Sequence, residues 1–135
     1  MGRFRLALPE TGQAVTELAL LLPLFVFGLI GAADLARALG AQLALQNAAR
    51  AGAEAGVLGA APTDDTVAAY ARGELGRVPG LNPNAASVSV SRWTDADGAR
   101  LVTVGVRYTF TTIVPWPLVP SAVPLDRATT MRNIR

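Results

Sequence analysis

From Leu18 to Ala33 the chain runs for 16 residues without a charge, between Glu17 and Asp34, and no other feature restricts its folding as strongly. The run alone is short of the roughly 20 residues a bilayer span needs. Counted from Gln13 and admitting Glu17, it reaches 21 residues. As a helix that is about 30 Å, close to the hydrocarbon thickness. Arg3 and Arg5 precede it, so the positive-inside rule leaves the N-terminus cytoplasmic and everything after Asp34 outside. A basic start before an apolar run is also the pattern of a secretory signal peptide, with Ala32-Ala33 or Ala36 near the cut. Against that, residues 34 to 57 stay rich in Ala, Leu, Gln and Arg and contain no proline. The expectation is one helix of about 40 residues, on the order of 60 Å, half in lipid and half out. Pro23 removes a backbone donor inside it and clashes with the carbonyl of Ala19, so a kink is expected there.

Small residues recur along this helix at every fourth position: Gly28, Ala32, Ala36, Gly40, Ala44, Ala48, Gly52 and Gly56. Such spacing lets helices approach closely, the main packing device where lipid removes the hydrophobic drive. Composition supplies a plainer origin, since 16 of the 29 residues from 28 to 56 are Ala or Gly. A four-residue step also drifts about 40° per repeat, so the track spirals around the helix.

After Gly59 the pattern changes. Pro62-Thr63-Asp64-Asp65 starts a second helix, with a capping hydroxyl and first-turn carboxylates, and Val67, Tyr70, Ala71 and Leu75 share its apolar face up to Pro79-Gly80. The period then switches to two. Val88 and Val90 alternate with Ser87, Ser89 and Ser91, and beyond Asp95-Ala96-Asp97-Gly98 come Val102, Val104, Val106, Tyr108 and Phe110. That is a hairpin, with a third strand expected over residues 125 to 134. The Asp95-Gly98 segment reads as its turn, because the remaining oxygen ligands and terminal glutamate of a calcium loop are missing. Trp116, between Pro115 and Pro117, fits either a ring at a membrane interface or a packed loop residue. The fold class is therefore α+β: a leader over 1–12, a long membrane-spanning helix over 13–59, and a small helix-plus-antiparallel-sheet outer domain over 60–135.

Composition removes several functions. Cysteine and histidine are absent, which excludes disulfides, thiol nucleophiles, His-based triads and the usual zinc sets, so neither a metal nor a cofactor is expected. All 12 basic residues are arginine, scattered singly around a formal charge of +2. A phosphate backbone requires a basic stripe, so nucleic acid is not an expected partner. Ser87, Ser89 and Ser91 have no histidine or lysine to activate them, and no enzymatic activity is expected.

Residues 8 to 23 read LPETGQAVTELALLLP. The first five letters spell a sortase signal, but sortase signals work at the C-terminal end of a chain, and a cut between Thr11 and Gly12 would join only an 11-residue peptide to the wall. The following letters fit their surroundings. A short basic leader ends at Gly12; Gln13 becomes the first residue, Glu17 the fifth, Leu18 the sixth, and the apolar helix follows. This resembles the processing site of type IV prepilins. With Asp34-Leu35-Ala36-Arg37, Asn47-Ala48-Ala49-Arg50-Ala51-Gly52-Ala53 and a closing Ala128-Thr129-Thr130-Met131-Arg132, it is similar to the TadE-like family, pseudopilins of the tight-adherence (Flp-type) pilus machinery.

The resemblance implies cleavage by a prepilin peptidase between Gly12 and Gln13, with Glu17 and Leu18 in recognition. It also implies that Glu17 meets the new N-terminal amine of an adjacent subunit and sets its register. Expected partners are other pilins, the peptidase, the membrane assembly platform and lipid. The expected location is the cytoplasmic membrane, single-pass, with the outer domain extracytoplasmic. The alternative is a membrane-tethered binding module whose helix only anchors it.

Overall fold

A computed structural model describes residues 10–117 and 120–133. Arg3, Arg5 and the rest of the leader to Pro9, together with Ile134 at the end of the third expected strand, lie outside the described residues. Helix α1 spans Glu10–Val57, 48 residues, or about 72 Å at 1.5 Å per residue. It is longer than the expected 40: three of its residues precede Gln13, and the stretch from Gln13 to Val57 is itself 45 residues. Pro23 lies inside it, and the helix is assigned without interruption. Gly59, at φ +80°, turns the chain back along it.

Helix α2 spans Asp64–Leu75. Thr63 caps it: its hydroxyl accepts from the Thr66 N–H at 3.2 Å, and the Thr66 side chain accepts from the Thr63 N–H at 3.1 Å. The buried face is Val67, Ala68, Ala71 and Leu75. Tyr70, expected on that face, is 50% exposed. At 100° per residue the four buried positions cluster within about 100° of arc, and Tyr70 falls well to one side of it. The helix also stops at Leu75, before Pro79, with Gly76 as its C-cap.

A single turn of 3₁₀ helix at Pro83–Ala85 leads into β1 (Ser87–Thr94), β2 (Arg100–Thr111) and β3 (Ala122–Arg132). The sheet is antiparallel in the order β1-β2-β3. The Asp95 N–H donates to the Ala99 carbonyl at 2.8 Å and Gly98 sits at φ +78°, so the segment is the hairpin turn its glycine indicates. Strand β3 starts three residues before Leu125 and takes in Pro124, which an edge strand tolerates.

The core lies between the upper half of α1, α2 and one face of the sheet. Strand β2 contributes Val102, Val104, Val106 and Phe110, all buried, while α1 offers Ala41, Ala44, Leu45, Ala48, Ala49 and Ala53. Alanines facing valines let the helix lie close beneath the sheet. Polar ties lock the register: Arg127 donates to Gln42 Oε1 at 2.6 Å, and Arg92 donates to Asp64 Oδ1 at 2.7 Å and to the Ala61 carbonyl at 3.1 Å.

Candidate functional site

The sequence-derived junction lies on the first turns of α1. Gly12, Gln13, Glu17 and Leu18 are all exposed. The Gln13 side-chain amide donates to Glu17 Oε1 at 3.0 Å, and the Thr16 hydroxyl donates to the Gly12 carbonyl at 2.9 Å. A Cβ on Gly12 would meet nothing within 4 Å. Above the junction Leu20, Leu21, Leu22, Leu24, Phe25, Val26, Phe27 and Leu29 are exposed on all sides of the helix. A stretch hydrophobic all round with no protein covering it is lipid-facing in character.

The small-residue track divides in two. Gly28, Ala32, Ala36 and Gly40 are exposed, and nothing lies within 4 Å of a Cβ built on Gly28 or Gly40. Ala44, Ala48 and Gly52 are buried and Gly56 is half-buried. A Cβ on Gly52 would come to 3.3 Å from both Ala71 Cβ and Val104 Cγ1, and one on Gly56 to 3.0 Å from Val102 Cγ1. The upper four residues therefore fit the helix to its own domain and are not open to another subunit. The spiral explains the split, since a drift of 40° per step carries the track from the free face onto the domain face.

A third cluster joins residues that the sequence marked only separately, Asp34 and Arg37 in the family resemblance and Trp116 in its proline-flanked loop. Asp34, the first charge after the apolar run, is 5% exposed. The Ile113 N–H donates to its two carboxylate oxygens at 2.9 and 3.0 Å, the Trp116 indole N–H donates at 3.2 Å, and Arg37 Nη1 donates at 2.9 Å. The Arg37 guanidinium lies 5.1 Å from the Phe110 ring centroid, in cation–π contact. No sequence spacing links Asp34 to its main partners, which are 79 and 82 residues away. Burial acts to raise the Asp34 pKa. The Ile113 N–H, the indole, and the hydrogen bond and charge of Arg37 outweigh burial and hold it below the usual carboxylate value.

The latch therefore contributes fully above the unfolded pKa of about 3.9 and is lost as pH falls through the lower folded value. Asp34→Asn keeps the shape and removes the charge and one acceptor. It is expected to speed hydrogen exchange of the Ile113 amide several-fold at neutral pH. Unchanged exchange would show that the carboxylate does not hold the loop.

Beside this latch Phe27, Gly31, Leu35, Phe110, Trp116 and Leu125 help line an apolar groove of ≈ 580 Å³. Among the described residues no three metal-ligating side chains come together.

These features define a class: a long helix apolar and exposed enough to cross a membrane, carrying a small α+β domain on its far half. Within that class, residues 12–54 match the family described as TadE-like protein. The matched segment takes in the junction, the apolar run and the part of α1 under the sheet. No curated protein and no solved structure matches the chain. The family match and the apolar helix together fit a membrane-anchored component of a Tad pilus, a structural class that associates with pilus assembly components.

Proposed function

We propose that the protein is a pseudopilin of a Tad/Flp-type pilus assembly or secretion system, a structural or priming subunit without catalysis of its own, which a prepilin peptidase cuts between Gly12 and Gln13. The observation that carries this reading is the junction itself: Gly12, Gln13, Glu17 and Leu18 stand in prepilin order, exposed, at the foot of an uncovered apolar helix. The scissile bond lies inside α1, so cutting requires local unwinding. Gly12 favours it, because glycine is about 1 kcal/mol poorer than alanine in a helix.

Cutting creates an ammonium on Gln13, four residues before Glu17. In the uncut chain the Gln13 side-chain amide occupies one Glu17 oxygen, and in an assembly the amine of a neighbour would compete for it as the stronger, charged donor. Gly28, Ala32, Ala36 and Gly40 offer the face along which a neighbouring helix can approach. The outer domain would lie on the extracytoplasmic side of the cytoplasmic membrane. Its partners would be other pilins, the peptidase and the assembly platform.

Two measurements test this. A reporter fused after Arg135 should be active only outside the cytoplasm, and photo-crosslinkers at Ala36 or Gly40 should capture co-expressed pilins. A cytoplasmic reporter would reverse the topology and undo the reading. Correct topology with no pilin crosslinks would favour a tethered binding module.

A further inference from the structure

No charged residue occurs between Arg107 and Asp126, and the β2–β3 connection lies at the centre of that stretch. Its residues 112–117 run down along α1, away from the sheet. The Trp116 ring meets Phe27 edge-on, with centroids 6.4 Å apart, and a Cβ on Gly31 would lie 3.5 Å from Trp116 Cη2. Both helix residues belong to the apolar run. Phe27 precedes Ala33 by six residues and Gly31 by two, or about 9 Å and 3 Å of helical rise. A ring seated between those levels is below the height at which the run ends. Ile113 is 57% exposed beside it, and Pro115 and Pro117 are exposed as well.

Two N–H groups of this loop are satisfied at that depth, while the buried Thr112 hydroxyl has no hydrogen-bond partner. Asp34 receives the Ile113 N–H and the indole N–H, and the two prolines have no N–H to satisfy. Backbone at membrane depth is tolerated only where such groups find partners. Tryptophan is also the side chain enriched at the headgroup level.

We propose that residues 112–117 insert into the boundary between headgroups and acyl chains of the bilayer that α1 crosses, giving the outer domain a second membrane contact. The inference rests on residues 13–33 being the span. Helix and loop together would fix the tilt of the sheet over the membrane, and a subunit leaving the bilayer would have to withdraw both.

The chain has no cysteine, so one introduced cysteine carries a unique nitroxide. The full chain with Ile113→Cys, Leu20→Cys or Ser91→Cys is labelled and reconstituted into phosphatidylcholine–phosphatidylglycerol vesicles. Collisions with oxygen and with a water-soluble nickel chelate are then measured. The Ile113 label should fall between the other two, with nickel access several-fold below that of Ser91 and oxygen access above it. Nickel access at Ile113 equal to that at Ser91, with Leu20 still in lipid, would overturn loop insertion and leave the span standing. Nickel access at Leu20 would overturn the span itself, and shielding of Ile113 from both reagents would mean that protein covers the loop, which also defeats the proposal. An independent reading leaves the loop unaltered: Trp93→Phe makes Trp116 the sole tryptophan. Its emission should be quenched more by lipids brominated near the headgroup than by those brominated at the chain end, and absence of quenching by either would overturn the proposal.

Discussion

Glu17→Ala should leave membrane insertion intact yet lower crosslinking of the processed chain to co-expressed pilins by about tenfold or more, equivalent to roughly 1.4 kcal/mol of lost contact. Glu17 is exposed on the apolar part of α1, with the Gln13 amide at 3.0 Å. Insertion scales place the cost of an acid in the middle of a span at about 2.5 to 3.5 kcal/mol. If the helix served only as an anchor, removing that acid would improve insertion and nothing else would change. A neighbour's ammonium would give the carboxylate a charged partner, and Ala would remove that bond from every subunit contact. Gly40→Leu gives an independent check. No atom lies within 4 Å of a Cβ at Gly40, so leucine fits the free chain and, being the better helix former, strengthens α1. Loss of crosslinks in that variant would therefore report lost close approach between helices. Unchanged crosslinking in both variants would favour the tethered binding module.

The largest stability effect is expected from Leu45→Ala. Leu45 is fully buried where α1 passes under the sheet, among the largest side chains in the core. Truncating it should cost about 2–5 kcal/mol, the range for removing a buried leucine and leaving part of the cavity unfilled. That is a large share of the roughly 5–15 kcal/mol that stabilises an ordinary domain. Denaturant unfolding in detergent, followed by tryptophan emission, should show the shift, with α1 still embedded. A change below about 1 kcal/mol would mean that the outer domain does not depend on α1 for its core.

The parts of the fold legible in the sequence were those written in local periodicity. The run from Leu18 to Ala33, the Thr63 cap, the valines of β2 and the glycine turn at Gly98 each carry a signal within a few residues. The small-residue track was legible as a track but not as two halves. Composition alone cannot distinguish an alanine that admits another chain from one that admits the chain's own valines, and Gly52 is of the second kind. Tyr70 was misplaced because an aromatic near the edge of a helical face looks apolar in a pattern, whatever side the neighbouring sheet covers. The Asp34 latch was invisible for a different reason. Its carboxylate is explained by an amide and an indole some eighty residues on, and no spacing rule connects them.

Intact-mass and N-terminal measurement of the protein recovered from membranes tests the central claim most directly. Wild type is expected to begin at Gln13, with the mass of the 12-residue leader removed, and Gly12→Leu is expected to keep the leader. A wild-type chain that remains uncut, or one cut near Ala33 as a signal peptide would be, would contradict the account.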